Sequence, residues 1–191
     1  MLERLLQWDR DTFIYLNSLG IEEYDGFWSL VTHTTTWIPL FLLFFLLLLL
    51  KYPKKEAISM ILMTMLLFGF VIAFMDLTKN LIARLRPNNN EEISGLIRIL
   101  INPNDYSFFS GHAASSFAIT TLIVLFLRKK LRWVYLFYLW PLLFSLSRIY
   151  VGVHYPLDLI AGTLVGLLMA FSFYRIYHRF IVPYLGLDRL L

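Results

Sequence analysis

The sequence predicts an all-α protein: a polytopic membrane helical bundle of five to six spans, preceded by an N-terminal amphipathic helix. Three observations carry this reading. Hydrophobic residues make up 59% of the 191-residue chain and charged residues only 16%, against roughly a quarter charged in soluble domains. The apolar residues gather into runs close to the ~20 residues that a bilayer requires. Positions 38–50 read Ile-Pro-Leu-Phe-Leu-Leu-Phe-Phe-Leu-Leu-Leu-Leu-Leu, too apolar for a helix with one face in water. Finally, Lys and Arg concentrate in alternate connections between the runs, as membrane topology demands.

The length suits a single domain over residues 1–191. Cysteine is absent, which excludes disulfides and a cysteine nucleophile. The net charge of +4 is modest. Topology accounts for it better than nucleic acid does, so no nucleic-acid partner is expected.

Residues 1–20 carry Leu2, Leu5, Leu6, Phe13 and Leu16 with Trp8 and Tyr15 among charges. This pattern predicts an interfacial helix ended by Gly20. The segment lacks the basic start and unbroken apolar core of a signal peptide. Glu22, Glu23 and Asp25 form an acidic loop. The first span is expected from Phe27 to Leu50, with Trp28, Trp37 and Tyr52 as an aromatic belt. His33, among threonines, reads as a packed or interfacial group. The second span is expected from Ala57 to Thr78, continuing as helix to Arg86 until Pro87 and three asparagines stop it. A polar loop runs to Phe109, the longest connection and the kind that often carries function. The third span is Ser110 to Leu127. The fourth is Trp133 to Tyr150, with Pro141 inside it. The turn Val151–Pro156 leads to the fifth, Leu157 to Tyr177. In that span Gly162 and Gly166 have the small-xxx-small spacing of closely packed helices.

Three lysines lie in the 51–55 connection, four Lys/Arg in 128–132, and Arg175, Arg179 and Arg189 in the tail, ten of the seventeen basic residues. The opposite side carries ten of the thirteen acids. The positive-inside rule then puts the basic connections and the C-terminus in the cytoplasm. Among the basic residues left outside, Lys79, Arg84, Arg86 and Arg148 sit at the outer ends of spans two and four. Ionisable groups at such depth are functional candidates. Arg84 reads as a headgroup anchor, and Glu91, Glu92 and Arg98 as a solvated loop face.

On a helix Lys79 and Arg86, seven residues apart, point the same way. Asp76 lies one turn before Lys79 and can pair with it. Ser110-Gly111-His112 opens a helix, where unpaired N–H groups attract an oxyanion. The same tripeptide also reads as an ordinary capped helix start. If Pro156 begins the fifth helix, Asp158 lies in its first turn and can hold the ring of His154. By the expected topology, cations, a helix N-terminus and two histidines face one spot. That inventory suits a phosphoryl group. Two histidines can share nucleophilic attack and leaving-group protonation. No dense Asp/Glu/His cluster suggests a two-metal site, so metal-free chemistry without a cofactor is favoured.

The pattern Lys79-x6-Arg86-Pro87, then Ser110-Gly111-His112, then Ser147-Arg148-x5-His154-x3-Asp158 resembles the type 2 phosphatidic acid phosphatase (PAP2) superfamily. The motifs lie in order within residues 79–158. The resemblance implies a PAP2/haloperoxidase-like helical core and a lipid phosphatase. His154 would be the nucleophile forming a phosphohistidine, Asp158 its orienting partner, and His112 the general acid. Lys79, Arg86, Arg148, Ser110 and Gly111 would hold phosphate oxygens. One departure is visible: Phe109 stands where the family's second motif usually has proline, which removes no phosphate ligand. The Trp8-Asp9-Arg10 start and the Tyr106-Ser107-Phe108-Phe109 lead-in resemble bacterial members, and with the topology above this implies a site on the outer (periplasmic) face of the cytoplasmic (inner) membrane. The expected partners are the bilayer and a lipid phosphate: undecaprenyl diphosphate first, then lipid A phosphate, or phosphatidylglycerol phosphate. No obligate protein partner is expected. A lipid phosphotransferase using the same intermediate and a non-catalytic lipid-binding or transport protein are the alternatives. The paired histidines with Asp158 argue against the last, since binding alone needs neither nucleophile nor acid.

Overall fold

The structure, a computed structural model, describes residues 1–186; Arg189, counted in the basic tail, lies outside them. Among the described residues there are helices and turns and no strand. The long elements are α1 (Leu2–Ser18), α2 (Asp25–Thr32), α3 (Ile38–Lys51), α4 (Lys54–Ile82), α5 (Gly111–Leu127), α6 (Leu139–Tyr150) and α7 (Pro156–Ile176). A π turn, Tyr177–Ile181, carries α7 into the short α8 (Val182–Tyr184).

Three helical runs are long and apolar enough to cross a membrane: Thr34–Lys51, Lys54–Asn89 and Pro156–Tyr184. Their outward faces are hydrocarbon, as bilayer contact requires. On α4, Leu62, Leu66 and Phe70 are exposed while Met60, Met63, Leu67 and Val71 are buried. The core gathers around α5, which is buried along almost its whole length. Its 17 residues are apolar but shorter than a full span. The close α5–α7 approach depends on the two glycines of α7. A Cβ at Gly162 would stand 2.6 Å from the Ser110 carbonyl oxygen, and one at Gly166 would collide with that of Ala114. Small residues thus set how near the start of α7 lies to the start of α5.

Three expectations are corrected. The first span is broken at His33, whose extended backbone separates α2 from a 3-10 turn, Thr34–Trp37, that leads into α3. A threonine hydroxyl helps hold the break: Thr36 Oγ1 bonds back to the chain, donating to the Leu30 carbonyl at 2.7 Å. The fourth span begins as a 3-10 helix, Arg132–Tyr138, and becomes α-helical only from Leu139, so Pro141 sits in the first turn and not inside a long helix. The second helix stops at Ile82 and not at Arg86. Ala83 takes a left-handed conformation (φ 49°) and its N–H bonds the Lys79 carbonyl. A non-glycine residue there costs about 1 kcal/mol; in return Arg84 and Arg86 leave the helix surface and turn inward.

The basic connections meet at one end of the bundle, where the Lys130 ammonium lies 5.7 Å from the Tyr52 ring centroid. The end of α4, the starts of α5 and α7 and the end of α6 converge at the other. There α1 packs through its single buried stripe, Asp9, Phe13 and Asn17. The four-residue steps of that stripe keep it on one face. Asn17 Nδ2 donates to the carbonyls of Arg98, Ile149 and Tyr150 at 3.0–3.2 Å, and its oxygen accepts from the Arg98 N–H at 2.7 Å. The helix expected to lie in the interface is fastened to the end of α6 and, through Asp9, to the start of α7.

Candidate active site

Ser110 is the N-cap of α5, and its hydroxyl accepts from the Ala113 N–H. Its own N–H bonds the Asp158 carbonyl at 3.0 Å, which ties α5 to the first turn of α7. The Met75 side chain lies against Gly111, its sulfur close to where a Cβ would stand. His112 follows, its ring centroid 4.7 Å from that of Phe144. Gly111 and His112 line one cavity, in a first helical turn whose N–H groups have no partner within the helix.

Pro156 opens α7 as expected. Asp158, at N3, closes a capping box by accepting the Tyr155 N–H at 3.0 Å. The same carboxylate oxygen lies 3.3 Å from His154 Nδ1. His154 Nε2 lies 2.9 Å from an Arg86 nitrogen. A guanidinium only donates, so Nε2 carries the lone pair and Nδ1 the proton. Burial, then the positive charges of Arg86, Arg148 and Lys79, hold the His154 imidazole well below its ordinary range. It is therefore neutral at pH 7, with a lone pair directed at the cavity.

Lys79, Arg86 and Arg148 are all buried to within 9% exposure or less. Lys79 and Arg86 converge although they are not on one helix. Their meeting point is Asp105, from the 87–109 loop. Its carboxylate bonds Lys79 Nζ at 2.5 Å and Arg86 Nε and Nη2 at 3.0 Å. Partial burial of Asp105 raises its pKa, but the hydrogen bonds and charges of Arg86 and Lys79 prevail and hold it well below the usual carboxylate range. The expected Asp76–Lys79 pair does not form, because Asp76 is on the exposed side of α4. Arg148 donates from one terminal nitrogen to Thr32 Oγ1, at the end of α2, while its buried Nε has no partner. An unpaired guanidinium N–H in such a place is costly unless an anion satisfies it.

The structure thus brings together Lys79, Arg86, His112, Arg148 and His154, with Gly111 between them, on one cavity of about 640 Å³. Ser110 and Asp158 stand behind them and shape the backbone and the His154 ring. The cavity continues down the bundle past Met75, Ile72 and Phe68 to Thr64. That is 15 residues of α4, or about 22 Å. Its deeper walls are apolar, with Phe41, Phe45 and Ile119 among them.

Sequence reasoning missed Asp105, Thr32 and the place of Arg84. Arg84 is no headgroup anchor: it bonds Asp158 at 2.8 Å and Asp9 at 2.6 Å. Arg98 is likewise paired, with Asp25 at 2.7 Å, and Arg10 bonds Glu92. The signal available for Arg84 was its depth beside two other cations.

Comparison with known proteins gives a consistent picture. The PAP2 superfamily matches residues 57–181. Lipid A 4'-phosphatase of Bacteroides thetaiotaomicron is 31% identical over 188 residues, covering 94% of this chain and 81% of that protein. Undecaprenyl-diphosphatase of Sulfolobus acidocaldarius is 38% identical over 139 residues, covering 71% of this chain and 60% of that one. Among solved structures, a transmembrane PAP2 type phosphatidylglycerolphosphate phosphatase from Bacillus subtilis shares the fold, with a TM-score of 0.74 at 21% identity over 93% of this chain and 88% of that one. Aquifex aeolicus LpxE matches with a TM-score of 0.63 at 27% identity, covering 86% and 93% of the two chains.

Proposed function

The chain belongs to the PAP2 superfamily of membrane lipid phosphatases, and within it we propose a metal-independent enzyme that forms a phosphohistidine on His154. The observation that carries this is the single cavity with cations and histidines at its head and hydrocarbon walls below. A lipid phosphate fits it end to end: head among Lys79, Arg86 and Arg148, tail along α4.

The steps follow from the geometry. The phosphoryl group displaces the Arg86 nitrogen from His154 Nε2 and takes Arg86 and the unpaired Arg148 Nε as oxygen ligands. The N–H groups of the α5 first turn, held by Ser110 and Gly111, supply further donors. Nε2 attacks phosphorus, the phosphorus–oxygen bond to the lipid breaks, and His112 gives its proton to the departing oxygen. The positive ring that results is held by Asp158 at Nδ1. Water then passes a proton to His112 and attacks phosphorus, releasing phosphate and restoring Nε2. The site's charge is supplied by three cations, so no metal is required. One domain, residues 1–191, carries all of this. The basic far end supports a site on the periplasmic face of the bacterial cytoplasmic membrane with the C-terminus inside.

The substrate class we favour is an isoprenyl diphosphate. Phe144 packs against His112 and Met75 against Gly111, so hydrocarbon is expected next to the phosphate ester, without an intervening sugar. A lipid A phosphate is the second reading, favoured by the extent of the similarity to the Bacteroides relative. Phosphate release by the purified chain in EDTA, from undecaprenyl diphosphate, lipid A and phosphatidylglycerol phosphate, separates them. We expect kcat/KM at least about tenfold higher for the isoprenyl lipid. The reverse order would establish lipid A, and activity only on adding Mg²⁺ would defeat the metal-free mechanism.

Asp105 occupies the cation pair that a phosphate needs, so it competes with the substrate. Asp105→Asn is expected to lower the inhibition constant of orthovanadate by about tenfold, equivalent to ~1.4 kcal/mol. A weaker inhibition would mean that Asp105 positions the cations and does not block them.

A further inference from the structure

The nucleophile's partner, Asp158, is fully buried, and the residues behind it come from two other parts of the chain. Oδ2 of Asp158 faces the His154 ring and the Tyr155 N–H. Oδ1 is taken by Arg84, which leaves the end of α4 at the left-handed Ala83. The guanidinium carbon lies over the Tyr155 ring, 4.0 Å from its centroid. Its other arm reaches Asp9 of α1 at 2.6 Å. Asp9 is itself 0% exposed, and its second oxygen accepts the Leu157 N–H in the first turn of α7 at 2.8 Å. Phe13, one turn along α1, meets Tyr155 edge-on with centroids 5.4 Å apart.

We infer that Arg84 and Asp9 are positioning residues for the phosphohistidine reaction, so that α1 is part of the catalytic apparatus and not only a membrane anchor. This deepens the function proposed above and rests on His154 being the nucleophile. The physical case is the cost of burying charge. A carboxylate without water keeps its charge only when paired and hydrogen-bonded. Arg84 is the cation that pairs Asp158. Arg84 between two carboxylates is held in one rotamer by Asp9 and by the Tyr155 face. Asp158 then presents one oxygen to Nδ1 at a fixed angle, and Nε2 is left as the lone-pair nitrogen. Remove Arg84, and Asp158 has reason to take a proton and donate it. The imidazole can then turn or switch tautomer, and its lone pair is lost to the substrate. Asp9 acts one step further back and also ties the turn bearing His154 to α1.

The test uses the full chain in detergent, with two readouts. The first is ¹⁵N NMR of histidine-labelled protein, which reports which ring nitrogen carries the proton. In the wild type His154 is expected to be protonated at Nδ1, with its signal assigned by its loss in His154→Ala. In Arg84→Gln the signal is expected to move toward a mixture of tautomers. The second readout is kinetics on undecaprenyl diphosphate or, if that lipid is not turned over, on lipid A. Arg84→Gln should lower kcat by roughly 100-fold with KM changed less than about threefold, the pattern of a lost orienting group. Arg84→Lys should recover part of kcat, and the isosteric Asp9→Asn should lower it by about tenfold. A wild-type His154 protonated at Nε2 overturns the proposal, whatever becomes of the variants. So does an Arg84→Gln protein with unchanged tautomer and kcat. If His154→Ala keeps its turnover, the nucleophile assignment fails, while the NMR still reports on the Arg84 chain.

Discussion

His154→Ala is expected to lower lipid phosphate release by at least about 10⁴-fold, the loss typical of a nucleophile whose neighbours remain in place. His154 contributes a lone pair at Nε2, on a ring oriented by Asp158, on the cavity wall. Lys79, Arg86 and Arg148 survive the change, so the lipid is still held and KM should move little. The variant also removes the atom that would carry the intermediate. Brief reaction with ³²P-labelled lipid phosphate, quenched in alkali to spare a phosphohistidine, should label the wild-type chain and leave His154→Ala unlabelled. Label that persists in the variant, or turnover near wild type, would place the nucleophile elsewhere.

His112→Gln is the second large effect, and its size should depend on the leaving group. A general acid contributes typically 10²–10⁴-fold, and most where the departing oxygen is strongly basic. A lipid alcohol leaves as an alkoxide unless protonated. The lipid monophosphate leaving from a diphosphate is a far weaker base, with a second pKa of roughly 6 by analogy with phosphate esters. His112→Gln should therefore cost about 10³-fold on a lipid monophosphate and at least about tenfold less on a diphosphate. The same residue serves as base for water in the second step, so the diphosphate reaction should also accumulate labelled protein. An equal loss on both substrates would make His112 a binding group, and no loss would remove it from the mechanism.

Much of the site was legible because its parts are local. Ser110 as N-cap of α5, Pro156 as the first residue of α7 and Asp158 in its first turn are helix-end chemistry, each written within a few residues of its own helix start. The His154–Asp158 contact is an i, i+4 contact across that helix start. Lys79 and Arg86 do come together, but not for the expected reason. They were expected on one helical face, yet the helix ends at Ile82 and they meet through Asp105. The grouping stands because the chain turns inward at Ala83, a conformation that an alanine does not announce. Arg84 was misread for the same reason. On a continuous helix it would point at headgroups, whereas off the helix it reaches two buried carboxylates.

The sequence by itself determined the membrane class, the placing of the main apolar helices and the three motifs that carry the family. These rest on composition, on period and on helix-end rules, which act over a few residues. Only the tertiary structure decided that Asp105 sits on the cation pair, that Arg148 keeps an unpaired Nε, and that Asp9 and Arg84 stand behind Asp158. Asp9 and Leu157 are 148 residues apart, and Arg84 and Asp158 are 74 apart. A buried ion pair has no periodic signal; it exists only once the ends of α1, α4 and α7 are packed together. Two glycines of α7 and the buried stripe of α1 set that packing, because they fix how closely the backbones approach.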